Sequence, residues 1–124
     1  MSSDRKLSST DNINRNDLII TCPFMRALIM IEGRWKLVII CRLRDNGNQS
    51  FSSLMKLIPN ASKRMLAKSL KELETDKIVL KQKLKTFPMT TDYSLSEHGN
   101  DLLPVIEQLK EWGLKVKPQI KITD

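Results

Sequence analysis

The chain has 124 residues, enough for one ordinary domain with its own core and too few for two of typical size. Its 21 Lys and Arg outnumber 14 Asp and Glu, giving a formal charge of +7 that favours acidic partners, nucleic acid and anionic membrane surfaces first among them. Two cysteines and one histidine exclude a disulfide framework and a four-ligand metal site, and no run approaches the roughly 18 apolar residues of a membrane span. The N-terminal residues also lack a hydrophobic signal core, so a soluble protein of the reducing cytoplasm is expected, with no membrane partner.

Residues 1–16 are rich in Ser, Asn and Asp with almost no apolar side chains, too few to offset the entropy of ordering them, and read as a mobile tail. Residues 17–117 read as the folded domain and 118–124 as a flexible C-terminal tail. Within the domain, "CPFMRALIMI" places Phe24, Leu28 and Ile31 at helical spacing, with Pro23 suited to a first turn and Gly33 to a stop. This is a short first helix. "RWKLVIICRLRDNG" is apolar almost all round, through Trp35, Val38, Ile39, Ile40 and Leu43, as a helix at the centre of a core is.

"SFSSLMKLIPN" then offers about two helical turns ended before Pro59. Ser62 is a good N-cap for "KRMLAKSLKELETDK", which carries Leu66, Leu70 and Leu73 on one face and Lys63, Arg64, Lys68 and Lys71 on the other. Two helices joined by so short a turn, the second basic in its N-terminal half, have the outline of a helix-turn-helix. The plainer reading of the basic face is a solvated one.

The period then changes from helix to strand. Val79, Lys81, Lys83 and Lys85 alternate with Leu80, Gln82 and Leu84; a loop over Thr86–Thr91 and a second strand over Asp92–Leu95 complete a hairpin. Ser96 caps a last helix, kinked by Pro104, whose seam of Leu102, Val105, Ile106, Leu109, Trp112 and Val116 is longer than a small core needs. Phe24 and Leu28 of the first helix with Leu102, Ile106, Leu109 and Trp112 of the last are therefore the expected subunit interface.

Charge sharpens the functional reading. Between Lys56 and Lys85 nine Lys or Arg face three Asp or Glu, so almost the whole net charge sits on the helix-turn-helix and hairpin. Each Lys or Arg that reaches a phosphate releases counterions, while sequence choice needs base contacts from the N-terminal turns of the recognition helix. Those turns present Ser62, Lys63, Arg64, Ala67 and Lys68, followed by Lys71; Lys81, Lys83 and Lys85 suit the backbone. The aromatic residues Trp35, Phe51 and Tyr93 read as packing. No glycine-rich phosphate loop, nucleophile with a base, or metal-binding His pair is present in the sequence, so neither an enzyme nor a cofactor is expected.

The chain resembles the HxlR-type family of bacterial winged-helix transcription regulators, relatives of the MarR group. The resemblance runs through Cys22-Pro23, Gly33-Arg34-Trp35-Lys36-Leu37, Phe51 with Leu54, Ile58-Pro59, Ser62, Met65, Leu66, Leu70 and Leu73. It continues through Tyr93-Ser94-Leu95, Gly99, Leu102-Leu103-Pro104-Val105 and Glu111-Trp112-Gly113. It implies a mainly α fold with a small β-hairpin, a winged helix-turn-helix with N- and C-terminal dimerisation helices, and a homodimer on a pseudo-palindromic double-stranded DNA operator. Members commonly repress and sometimes activate, and several respond to electrophiles, oxidants or aldehydes. Family wings often carry Arg shortly before the second strand, where this chain has Met89-Thr90-Thr91, leaving Lys83 and Lys85 for phosphate contacts.

Cys22 stands at a helix start, where unpaired N–H groups favour a thiolate if the site is accessible, and the resemblance implies a redox sensor at this position in several members. The alternative is a packed or tolerated thiol in a regulator that senses something else. Cys41 reads as a small core hydrophobe and His98 as a surface residue. The expected function is sequence-specific DNA binding, with residues 62–75 in the major groove and 79–95 as the wing. Two rivals are the same fold regulated by a small ligand between the dimerisation helices, and a protein-interaction adaptor that does not bind DNA.

Overall fold

The computed structural model describes residues 16–17 and 19–118. Apart from residues 16 and 118, the two expected tails lie outside the described residues; residue 16 is helical, as are residues 17 and 19–21. Helix α1 (Pro23–Ile31) follows with Cys22 at its N-cap and Pro23 in its first turn, and none of its residues is buried. Helix α2 (Lys36–Asn46) is the central helix: Ile39, Ile40 and Leu43 are buried, and Gly47, at φ 78°, supplies the positive φ that ends it.

Strand β1 (Gln49–Ser50) leads directly into α3 (Phe51–Leu57), whose N-terminus is held by the Ser50 hydroxyl accepting from the Ser53 amide. Helix α4 (Lys63–Thr75) comes next, then β2 (Val79–Leu84) and β3 (Thr90–Leu95). The turn from α4 to β2 satisfies the last helical carbonyls in pairs: Lys77 N–H donates to Glu74 and Ile78 N–H to Leu73. Lys77 adopts φ 62° to do so.

The sheet has three antiparallel strands in the order β1-β3-β2, with Gln49 opposite Tyr93, Val79 opposite Leu95 and Leu84 opposite Thr90. The sequence indicated only a hairpin. β1 is two residues long, too short to display a period, and exists because β3 offers it an edge. The second strand begins at Thr90 rather than Asp92, and β2 ends at Leu84, so Lys85 stands just beyond the strand assigned to it.

The expected last helix is broken, not kinked. Helix α5 (Glu97–Asp101) and helix α6 (Leu103–Leu114) meet at Leu102, whose N–H turns back to Gly99 over three residues. Pro104 has no N–H to continue the ladder and takes the first turn of α6, where none is needed. Ile106 points into the protomer's own core at 8% exposure, while Leu109 and Trp112 of the same helix stay exposed, which corrects its place on the expected interface seam, and Leu102 is half-buried against the same core.

The core gathers Ile39, Ile40 and Leu43 of α2, Leu54 of α3, Leu66, Leu70 and Leu73 of α4, and Val79, Tyr93 and Ile106. Two polar links tie elements across it. The buried Lys36 ammonium lies 3.3 Å from Glu72, joining α2 to α4, and Arg44 pairs with Glu107, joining α2 to α6. Arg44 also donates to Asp45, and that bond holds the Asp45 carboxyl below the usual carboxylate range.

Candidate nucleic-acid interface

Helix α4 is presented by its partners on both sides. Ile58 and Ala61, both buried, close the turn between α3 and α4, with the Ala61 amide donating to the Ile58 carbonyl at 3.1 Å. Arg42 of α2 donates to the Leu57 carbonyl at 3.2 Å, fixing the end of α3 from below. Ser62 caps α4, its hydroxyl accepting from the Met65 amide at 3.1 Å.

Leu66, Leu70 and Leu73 are buried along one side of α4, each contributing about 1.5–3 kcal/mol of apolar burial, and Ser69 is buried with them. That stripe fixes the rotation of the helix. Ser62, Lys63, Arg64, Ala67, Lys68 and Lys71 are all left exposed on the other side. Every residue expected to face a groove is therefore on the open face of one anchored helix. Met65 shares the exposure and was not among the expected contacts, although its spacing of three from both Ser62 and Lys68 places it on their face.

The wing stands away from the core. Val79 is buried, whereas Leu80, Lys81, Gln82 and Lys83 are exposed on both faces of β2, as are Lys85 and the whole turn that follows. The alternation puts Val79, Lys81 and Lys83 on one face of β2 and Leu80 and Gln82 on the other, and only Val79, at the base of the ribbon, is buried. Leu80 is on the surface because the parity that buries Val79 turns it outward.

Cys22 is a half-buried free thiol and Cys41 a second, packed against the core. The Cys22 side chain makes no capping hydrogen bond, though its carbonyl accepts from the Arg26 amide at 2.9 Å. Next to it, a cleft of about 280 Å³ runs between α1 and α5, lined by Pro23, Ala27, Met30, Ile78 and Leu102 with Arg26, His98 and Asp101 among its walls. Phe24, Leu28, Leu109 and Trp112 are exposed, Phe24 at 70% and Trp112 at 66%.

The family model described as HxlR-like helix-turn-helix matches residues 30–121. The chain belongs to this family. Among its relatives, the HTH-type transcriptional regulator YdeP of Bacillus subtilis is 39% identical over 99 residues, covering 80% of this chain and 77% of YdeP. An HTH-type transcriptional regulator of Methanothermobacter thermautotrophicus is 34% identical over 92 residues, covering 74% of this chain and 70% of that protein. Among solved structures, the reduced form of YodB from B. subtilis matches with a TM-score of 0.72 at 34% identity, covering 82% of this chain and 99% of YodB. The oxidised form of the redox regulator HypR matches with a TM-score of 0.70 at 35% identity, covering 78% of this chain and 99% of HypR. This HxlR-like chain is a transcriptional regulator of the helix-turn-helix type with a winged fold. None of its described helices is long and apolar enough to cross a membrane.

Proposed function

We propose that this HxlR-like protein binds a specific, pseudo-palindromic double-stranded DNA site as a homodimer in the cytoplasm, with α4 of each protomer in the major groove and β2–β3 along the flanking backbone. One observation carries the reading: burial of Leu66, Leu70 and Leu73 fixes α4 so that Lys63, Arg64, Ala67, Lys68 and Lys71 are exposed together behind the Ser62 cap. Lys63 or Arg64 reads a guanine edge, and Lys81, Lys83 and Lys85 contact phosphates. The exposed Phe24, Leu28, Leu109 and Trp112 form the dimer contact. A mobility shift with the DNA upstream of its own gene, across a salt series, tests the proposal; absence of salt-sensitive duplex binding favours the adaptor reading instead.

Control of binding falls to Cys22. It is a half-buried free thiol at the base of α1, and the relatives of known structure include HypR in oxidised and reduced forms and YodB treated with diamide or bound to a quinone. Modification there would shift α1 and, through the dimer, the spacing of the two α4 helices. The cleft beside α1 favours a second reading, in which an apolar small molecule is the inducer and Cys22 a bystander. Wild type and Cys22→Ser assayed with and without diamide separate the two: equal loss of DNA binding in both proteins removes Cys22 as the sensor.

A further inference from the structure

The wing ends in an apolar tip that the fold does not use. Phe87 is fully exposed at 103% and Met89 at 65%, with Pro88 between them. A five-residue connection between two strands needs no aromatic side chain to close it, and neither Phe87 nor Met89 belongs to the core or packs against it. The tip is nonetheless ordered by its own bonds. The Thr86 hydroxyl donates to the Pro88 carbonyl at 2.7 Å and lies 3.4 Å from the Thr90 hydroxyl, while ladder pairing continues to Leu84 opposite Thr90 at the base of the turn.

The ribbon that carries this tip identifies its partner. Lys81, Lys83 and Lys85 are exposed along it, and Asp92, opposite Gln82, is the one acidic residue of the ribbon from Val79 to Leu95, so whatever receives Phe87 is approached by three cations against one carboxylate. An apolar protein surface has no use for them. Duplex DNA has phosphates for the lysines and, between its base pairs, an apolar surface for the ring. Proteins that enter the minor groove frequently drive Phe, Met or Pro between base steps and partly unstack them.

We propose that the wing tip is a minor-groove wedge: Phe87, supported by Pro88 and Met89, leans into one base step flanking the major-groove half-site and unstacks it, with Lys83 and Lys85 holding the adjacent phosphates. The proposal rests on the DNA-binding reading above and adds to it the residue that reads DNA deformability. The step it enters is a flexible pyrimidine–purine step, TA or CA/TG, because those unstack most readily. Sequence preference therefore arises at a position where no hydrogen bond to a base is made.

The test uses the full chain and a duplex it selects from a random pool, with 2-aminopurine placed in turn at the flanking steps. Wild type raises 2-aminopurine fluorescence at one flanking step in each half-site. Phe87→Ala abolishes that rise and weakens binding to the selected duplex roughly tenfold, within the range alanine substitution gives for aromatic–base stacking. It leaves the salt slope unchanged, and Phe87→Leu retains part of the signal. Both variants keep the wild-type melting temperature, since the side chain is wholly in solvent. If Phe87→Ala matches wild type in affinity and fluorescence while Lys83→Ala weakens binding, the tip lies on phosphates and the wedge is wrong. If wild type binds no duplex in a salt-sensitive manner, the DNA-binding reading itself fails.

Discussion

Gly99 has the least freedom to change. A Cβ there would meet the Ile78 carbonyl oxygen at 2.3 Å, a backbone atom that cannot move aside without disturbing the start of β2. The same carbonyl accepts from the Ser96 amide at 3.0 Å, and the Ser96 hydroxyl accepts from Gly99 N–H at 2.9 Å, so the strand, the cap and the helix start are fixed to one another. Gly99→Ala is expected to lower stability by about 1–3 kcal/mol, the range for overpacking, read as a fall in melting temperature. Lys77 offers the opposite case. Its φ of 62° disfavours a side chain, and Lys77→Gly is expected to raise stability by about 1 kcal/mol in denaturant unfolding. Asp45, its carboxyl held low by Arg44, contributes stability that is present above the ordinary carboxylate pKa and lost as pH falls through the lowered one.

Among the elements, the DNA contacts proposed for α4 and for the wing lead to different expectations. Lys83 is exposed on a ribbon that projects from the core, so Lys83→Ala is expected to weaken all duplexes alike and reduce the salt slope by about one, measured by anisotropy across a salt series. The helix-turn-helix was legible in the sequence because its signals are local: Leu66, Leu70 and Leu73 repeat at helical spacing, Ser62 is an N-cap residue, and Pro59 interrupts the preceding helix. β1 was not legible, since Gln49 and Ser50 become a strand only through pairing with Tyr93 and Asp92 far along the chain. Ile106 was placed on the interface seam because its spacing from Leu102 and Leu109 fits one helical face, whereas it is buried in the protomer's own core. The core takes one side of α6, which includes Ile106 and leaves Leu109 and Trp112 exposed, and which side that is depends on tertiary packing. The exposed side of α4 was legible because one buried stripe determines it; Met65 shares that side and could have been found by the same spacing.

At the scale of the whole molecule, apolar residues stand exposed on α1 and α6. α1 buries none of its own residues within the protomer, and Trp112 is 66% exposed on α6. A dimer that covers both helices resolves this, and Trp112→Lys is expected to yield monomers in sedimentation velocity while leaving the helical content unchanged. Such a monomer keeps α4 intact yet loses the affinity of a two-half-site duplex. The central claim is that the exposed face of α4 reads sequence, and Arg64 tests it most directly. Wild type and Arg64→Ala are compared on the selected operator, on its single-base variants and on random duplex at one salt concentration. The account predicts that Arg64→Ala loses about 1–3 kcal/mol on the operator, becomes indifferent to the base at one position in each half-site, and changes little on random DNA. Equal losses on operator and random duplex, with base preference unchanged at every position, would contradict it.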